Sequence, residues 1–327
     1  MRVEYLYWAM IFFSLVSLVL IVSMAVIVLS KKNIIKKRSI ITGQLEDWVM
    51  DVALENNSGA NHVFLVPMNT ELLLKGRLAG KVLLRLLIKL KKSLSGKSGE
   101  NLGTIYNQLN LEQISLKRLQ GKLWHVKAKG IQELAIMNQH AYHEQIFELA
   151  QHKDPMVRME AQTAMVRLQG YKGLQFFDQL TYPISEWHQV NLLHLLANQP
   201  ITGDSGIFNW LNSPNATLVQ FSLKLIGEQH AAEFQDEVIK CLVHPNAIVR
   251  MQAILCLGQI ASDSAAPELR KHYIAEPDKN LQLCIINEFM KMGSQHDLPF
   301  LQNLQHAADA DIKLAADKTV LYLQKKI

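Results

Sequence analysis

SPNATLVQFSLKLIG at 213–227 and HPNAIVRMQAILCLG at 244–258 are two versions of one phrase. They stand 31 residues apart and align without a gap. Pro214, Asn215, Ala216 and Gly227 fall on Pro245, Asn246, Ala247 and Gly258. Leu218 in the first copy matches Val249 in the second, and the interval can be stepped in both directions from there. The steps land on Val126, Val157, Trp187, Leu218, Val249, Leu281 and Ile312, spaced by 31, 30, 31, 31, 32 and 31 residues. A fixed interval of this size marks a chain built from stacked units.

Each unit reads as two helices. An apolar-periodic stretch such as HEQIFELAQH or FQDEVIKCLV precedes each reference residue. Pro183, Pro214, Pro245 and Pro277 stand four residues before it, and Pro155 two before. Proline ends a preceding helix and is tolerated in the first turn of the next. Asp154, Ser213, Asn246 and Asp278 are placed to cap the second helix. Four residues after the reference the side chain is small at Gly130, Ala161, Ser222, Ala253 and Ala316, which lets a neighbouring helix approach closely. Asn191 and Ile285 break that rule. One such pair cannot bury its apolar faces alone, whereas stacked pairs share a continuous core.

DPMVRMEAQTAMVRL (154–168) and NAIVRMQAILCLG (246–258) resemble the second helix of HEAT repeats, of the DPxVRxxAxxAL type common in short bacterial versions. The resemblance covers about residues 110–327. It implies an all-α fold, a right-handed α-solenoid of about seven helix-pair repeats, and use as a protein-binding scaffold. A few proteins with similar repeats handle chromophores or damaged bases, so fold alone does not decide function.

The other end of the chain is apolar. Leu6 to Ser30 holds no charged residue over 25 positions. As a helix it spans about 37 Å, enough for the roughly 30 Å hydrocarbon core of a bilayer. A signal peptide has a shorter apolar core with basic residues in front; here the basic residues come after. The expectation is one retained transmembrane helix, with removal of the first helix and export of the rest as the competing reading. Lys31, Lys32, Lys36, Lys37 and Arg38 follow the apolar run, while Arg2 and Glu4 cancel before it. Positive flanks stay cytoplasmic, so a single-pass inner or plasma membrane protein with a cytoplasmic C-terminal part is expected.

Charge is concentrated near that anchor. Residues 31–97 carry 13 Lys and Arg against 5 Asp and Glu, whereas 98–327 carry 20 against 23. The larger part is slightly acidic, which argues against a nucleic-acid partner. The expected division is an anchor at 1–30, a basic membrane-proximal region at 31–103 and the solenoid at 104–327. SIITGQLEDWVMDVALE (39–55) reads as a short amphipathic helix, NNSGANH (56–62) as a loop and SGKSGENLG (95–103) as a flexible joint. Between them a helix over about 70–95 interleaves leucines with Lys75, Arg77, Lys81, Arg85, Lys89, Lys91 and Lys92. Such a helix either lies on an anionic membrane surface or caps the first repeat. Lys31, Lys32, Lys36, Lys37, Arg38, Lys89, Lys91 and Lys92 are the membrane-surface candidates.

Motifs that carry chemistry are weak. GKVLL (80–84) and GKS (96–98) lack the earlier glycine and the strand of a phosphate loop. His140 and His143 share a short stretch with Glu144 and Glu148 but have no further ligand at zinc spacing. Cys241, Cys256 and Cys284 have no metal spacing and read as buried thiols in a reducing compartment. No catalytic, cofactor or metal residue is assigned, and no cofactor is expected. Lys127, Arg158, Arg250 and Lys313 each follow a reference residue. They either form a ladder for an acidic partner or, as the HEAT resemblance implies, bond the turn and stabilise the stack. The combined expectation is an anchored scaffold for a membrane-associated protein partner. The resemblance implies a membrane glycosyltransferase or secretion complex as client, with a HEAT-like lyase as the alternative class.

Overall fold

The computed structural model describes residues 2–55, 62–201, 206–260 and 264–326. Every regular element among them is helical. The chain forms two compact units, Met1–His140 and Ala141–Ile327.

The first unit contains α1 (Arg2–Leu54), α2 (Met68–Leu74), α3 (Arg77–Ser93), α4 (Gly96–Gln108), α5 (Glu112–Leu119) and α6 (Trp124–Ile136). α1 is one uninterrupted helix of 53 residues. Its apolar stretch is long enough to cross a membrane, and none of its most apolar window is buried among the described residues, which fits a single-pass anchor. The short helix expected at 39–55 is the far end of this same helix. No proline interrupts it, and the lone Gly43 costs only about 1 kcal/mol relative to alanine. There Leu45, Trp48, Val49, Val52 and Ala53 form a buried stripe at helical spacing. They share a core with Val82, Leu83, Leu86 and Leu87 of α3 and with Leu102, Ile105 and Tyr106 of α4.

The predicted joint at 95–103 is a correction: Gly96 onwards is the start of α4. Its Gly–Ser composition reads as a linker, but tertiary contacts override that. Asn101 is buried, and its Nδ2 donates to Val52 O at 3.0 Å and Glu55 O at 2.9 Å. It thereby satisfies carbonyls left over at the end of α1. Lys91 Nζ donates to Gly99 O at 2.6 Å. Most of the expected loop, residues 56–61, lies outside the described residues.

The leucine face of α3 is buried against α1 and α4, with Ile136 and Met137 of the α6 end also in the cluster. Of the two readings of this helix, the apolar face supports the cap. Lys81, Arg85, Lys89 and Lys92 stay exposed. α5 and α6 are pressed together at Gly130, where an added Cβ would collide with the Leu119 backbone and stand 2.8 Å from Ser115 O. Gly130→Ala is expected to lower stability by about 2 kcal/mol, measurable as a shifted urea midpoint of the detergent-solubilised chain.

The second unit repeats one plan six times. The first members of the pairs are α7 (His143–Phe147), a long 3-10 stretch at Gly170–Gln179, α10 (Ile207–Leu211), α12 (Gln235–Lys240), α14 (Ala265–Ala275) and α16 (Leu298–Leu304). The second members are α8 (Pro155–Gln169), α9 (Glu186–Leu196), α11 (Ala216–Glu228), α13 (Ala247–Ile260), α15 (Lys279–Met292) and α17 (Ala310–Lys326). With α5 and α6 of the first unit, the described residues hold seven helix pairs in the expected order. Consecutive second members pack on one another along the array, the arrangement of an α-solenoid.

Caps set the register. Asp154, Asn215, Asn246, Asp278 and Asp309 accept from backbone N–H groups two residues on, at 2.9, 3.1, 2.9, 2.8 and 2.9 Å. Ser185 accepts from His188 N at 3.3 Å. The third residue after each cap is Val157, His188, Leu218, Val249, Leu281 or Ile312, and all six are buried. The third unit is therefore shifted by one residue from the sequence expectation. His188, not Trp187, holds its core position, because the caps Ser185 and Asn215 stand 30 residues apart and a step of 31 back from Leu218 falls one residue too early. Ser213 is likewise not a helix cap: its Oγ accepts from Asn215 N at 3.1 Å, and Asn215 caps. Pro214, Pro245 and Pro277 precede the cap, and only Pro155 stands at a first helical position.

The two glycines of the opening phrase have a shared use. A Cβ on Gly227 would collide with the Gln259 side chain, and one on Gly258 with Glu288. In each case a polar side chain of the next second helix crosses where the glycine has none.

Candidate protein-binding face

With the third residue after each cap in the core, the second and fifth lie together one turn apart on another face. The second-place row reads Met156, Trp187, Thr217, Ile248, Asn280, Asp311. The fifth-place row reads Met159, Val190, Gln220, Met251, Leu283, Leu314. Consecutive second helices pack side by side, so these places neighbour one another from repeat to repeat in a strip, with apolar residues at both places on α8, α9 and α13 and at the fifth place alone on α15 and α17. Trp187 is 63% exposed, Val190 59%, Ile248 60%, Leu314 53% and Met156 43%. Met159, Met251 and Leu283 are half-buried beside them. Single exposed apolar residues need no explanation; here they recur in one register. Methionines adapt to irregular partners and an exposed tryptophan is a frequent anchor of binding energy. α11 interrupts the strip: Thr217 Oγ1 accepts from Ile184 N at 2.8 Å, and Gln220 is buried.

The basic candidates fare differently from one another. Arg250 Nε and Nη2 donate to the two oxygens of Glu276 at 2.8 and 2.9 Å, and Nη1 donates to His244 O at 3.0 Å. His272 Nε2 lies 3.0 Å from the same carboxylate, and Asp278 N donates to it at 3.1 Å. Burial pushes the Glu276 carboxyl up, but the hydrogen bonds from Arg250 and Asp278 outweigh it and hold the group below its ordinary value. Arg158 Nη1 donates to His152 O at 2.8 Å while its guanidinium lies 4.1 Å from the Tyr182 ring centre. Both arginines thus bind their own turns. Lys127 is half-buried in the first unit, and Lys313 is exposed on α17. Of the membrane-surface candidates, Lys31, Lys32, Lys36, Lys37, Lys89 and Lys92 are exposed, Arg38 is half-buried and Lys91 is tied to Gly99.

His140 lies in a 3-10 turn at His140–Tyr142, and His143 opens α7. Among the described residues no group of three or more His, Cys, Asp and Glu is poised for a metal. Burial pushes the thiols of Cys241 and Cys284 up to about 11 and that of Cys256 further. They are held as thiols rather than reactive thiolates. Burial also pushes the His188 imidazole down to about 4.

Trp187 is the residue that periodicity misplaced and the structure turns outward. Counting from Ser185 as a cap, instead of stepping back from Leu218 in the following unit, would have found it.

The model of the HEAT-repeat family matches residues 205–282 and 235–319. No curated protein matches the chain. Among solved structures, an engineered protein is similar at 13% identity, over 65% of this chain and 96% of its own, with a TM-score of 0.33. Human deoxyhypusine hydroxylase in complex with glycerol is similar at 14% identity, over 88% and 98%, with a TM-score of 0.34. The complex of CpcE and CpcF of phycocyanin lyase from Nostoc sp. is similar at 16% identity, over 84% and 94%, with a TM-score of 0.27. Within residues 205–319 the chain therefore carries repeats of the HEAT type.

Proposed function

We propose that this chain is a membrane-anchored scaffold whose repeat array binds an apolar segment of a membrane-associated protein. The observation that carries the reading is the strip led by Met156, Trp187, Val190 and Ile248. HEAT repeats generally serve protein interaction, which agrees with it. α1 tethers the array, and the cations from Lys31 to Arg38 hold that side of the membrane as cytoplasmic. We place a membrane glycosyltransferase or secretion complex first among partner classes, on the sequence resemblance alone. Binding is favoured over catalysis because the strongly shifted groups, His188 and Cys256, are buried in helix packing rather than gathered in a cleft.

The test is affinity capture from solubilised membranes of the native source with full-length wild-type and Trp187→Ala chains. The wild type is expected to retain a defined membrane protein, and the variant to bind it about thirtyfold or more weakly, as for loss of a binding hot spot. Because Trp187 is exposed, the variant's own stability should stay within about 0.5 kcal/mol of wild type. Equal capture by both chains would refute this use of the strip.

A further inference from the structure

The first unit contains a cationic cleft that the scaffold reading does not use. Its cavity of about 120 Å³ is lined by Arg38, Lys81, Arg85, Arg118, Lys129 and Glu133, with Val82, Ile88 and Gln132. A single water needs only about 10–15 Å³ of such space, so an oxyanion of phosphate size fits. The five cations come from four helices: Arg38 from α1, Lys81 and Arg85 from α3, Arg118 from α5 and Lys129 from α6.

The one carboxylate in the lining is already engaged. Glu133 is 3% exposed and bonds Arg118 through Oε1, while its Oε2 accepts from Ser115 Oγ at 3.1 Å. Ser115 in turn receives the Tyr106 hydroxyl at 3.3 Å. This buried chain fixes Arg118 at the cleft and neutralises it. Arg38, Lys81, Arg85 and Lys129 then face the same small space with no further acid in the lining. Lys129 reports the resulting field: burial first, then the charges of Arg118, Arg85 and Arg38, lower its affinity for a proton, with Glu133 opposing. Like charges held together in a half-enclosed cleft are stabilised by an anion that accepts several hydrogen bonds at once.

We propose that this cleft binds a phosphate-bearing anion through Arg38, Lys81, Arg85 and Lys129. Two sources share that chemistry. Arg38 lies eight residues past Ser30, about 12 Å along the helix axis. That places the cleft on the headgroup side of the apolar run and makes an anionic phospholipid the first source. A soluble phosphate compound is the second. The lipid source rests on α1 being an anchor; the soluble source does not.

The experiment is native mass spectrometry of the full-length chain in mild detergent, with phosphatidylglycerol titrated in one arm and inorganic pyrophosphate in the other. The variant is Arg85→Gln with Lys129→Gln, both exposed positions, with circular dichroism to verify unchanged helix content. The control, Lys271→Gln with Lys318→Gln, removes equal charge at exposed positions of the second unit. The expected result is saturable one-to-one binding in at least one arm. The cleft variant should weaken it about tenfold or more and the control should leave it within about twofold. Saturation with phosphatidylglycerol alone assigns the lipid source, and saturation with pyrophosphate assigns the soluble one. No saturable binding in either arm, or equal loss in cleft variant and control, overturns the proposal. Loss of protein capture by Trp187→Ala is a separate readout, so the two proposals can fail independently.

Discussion

Arg250→Ala is expected to destabilise the second unit by about 3–4 kcal/mol, the range for removing one partner of a buried ion pair. The Glu276 side chain is 1% exposed and Arg250 15%. Removal leaves the carboxylate with His272 and the Asp278 N–H but without its two guanidinium bonds. His244 O and Pro245 O also lose a donor at 3.0 and 3.3 Å, in the turn that positions α13. Chemical denaturation of wild type and variant measures the difference. Arg250→Met with Glu276→Leu should recover a substantial part of it, because buried ion pairs often exchange for packed apolar groups at little cost. The pair also carries a pH signature. Glu276 has a folded value below its ordinary one, so its contribution is present above the unfolded value of about 4.3 and fades as pH falls through the folded value. Acidification should therefore narrow the gap between wild type and variant only below about pH 4.

The second large effect lies at His188. Its imidazole is 5% exposed, and Nε2 approaches Thr163 Oγ1 at 3.4 Å. Burial lowers it to about 4 in the folded chain, against about 6.5 when unfolded. Between these values the unfolded chain binds a proton that the folded chain refuses, so stability rises with pH across that window. Going from pH 7 to pH 4 should remove about 3 kcal/mol through this group alone. His188→Leu should flatten that slope. Unfolding curves at several pH values, compared between the two chains, isolate it from other titrations. Parallel curves would show that the imidazole is solvated or paired in the folded state.

Local signals made most of the fold legible. The 31-residue interval, and Asp154, Asn246 and Asp278 as caps, follow from residues close in sequence acting on their own helix. The third unit was misplaced because its cap, Ser185, stands 30 residues before Asn215, so a step of 31 back from Leu218 lands on Trp187 instead of His188. Gly96–Gln108 was hidden by a glycine-rich composition whose helix is stabilised by Asn101 reaching back to α1 across 46–49 residues. Arg250 and Arg158 stood out as a ladder, but periodicity cannot show that their partners lie in the adjoining turns. The apolar strip was equally hard to see, since it alternates with core positions that look the same in sequence. The cationic cleft gathers positions 38, 81, 85, 118 and 129, which no window of sequence brings together.

The central claim is that one face of the repeat array holds a protein partner at the membrane. Its most direct measurement places a photo-crosslinking amino acid at position 190 of the full-length chain in intact cells, and in a second strain at Lys271, an exposed residue of α14. The account predicts a discrete crosslink from position 190 to one membrane-associated protein, abolished by Trp187→Ala and missing from position 271. Equal products from both positions, or none from position 190 at native abundance, would contradict it.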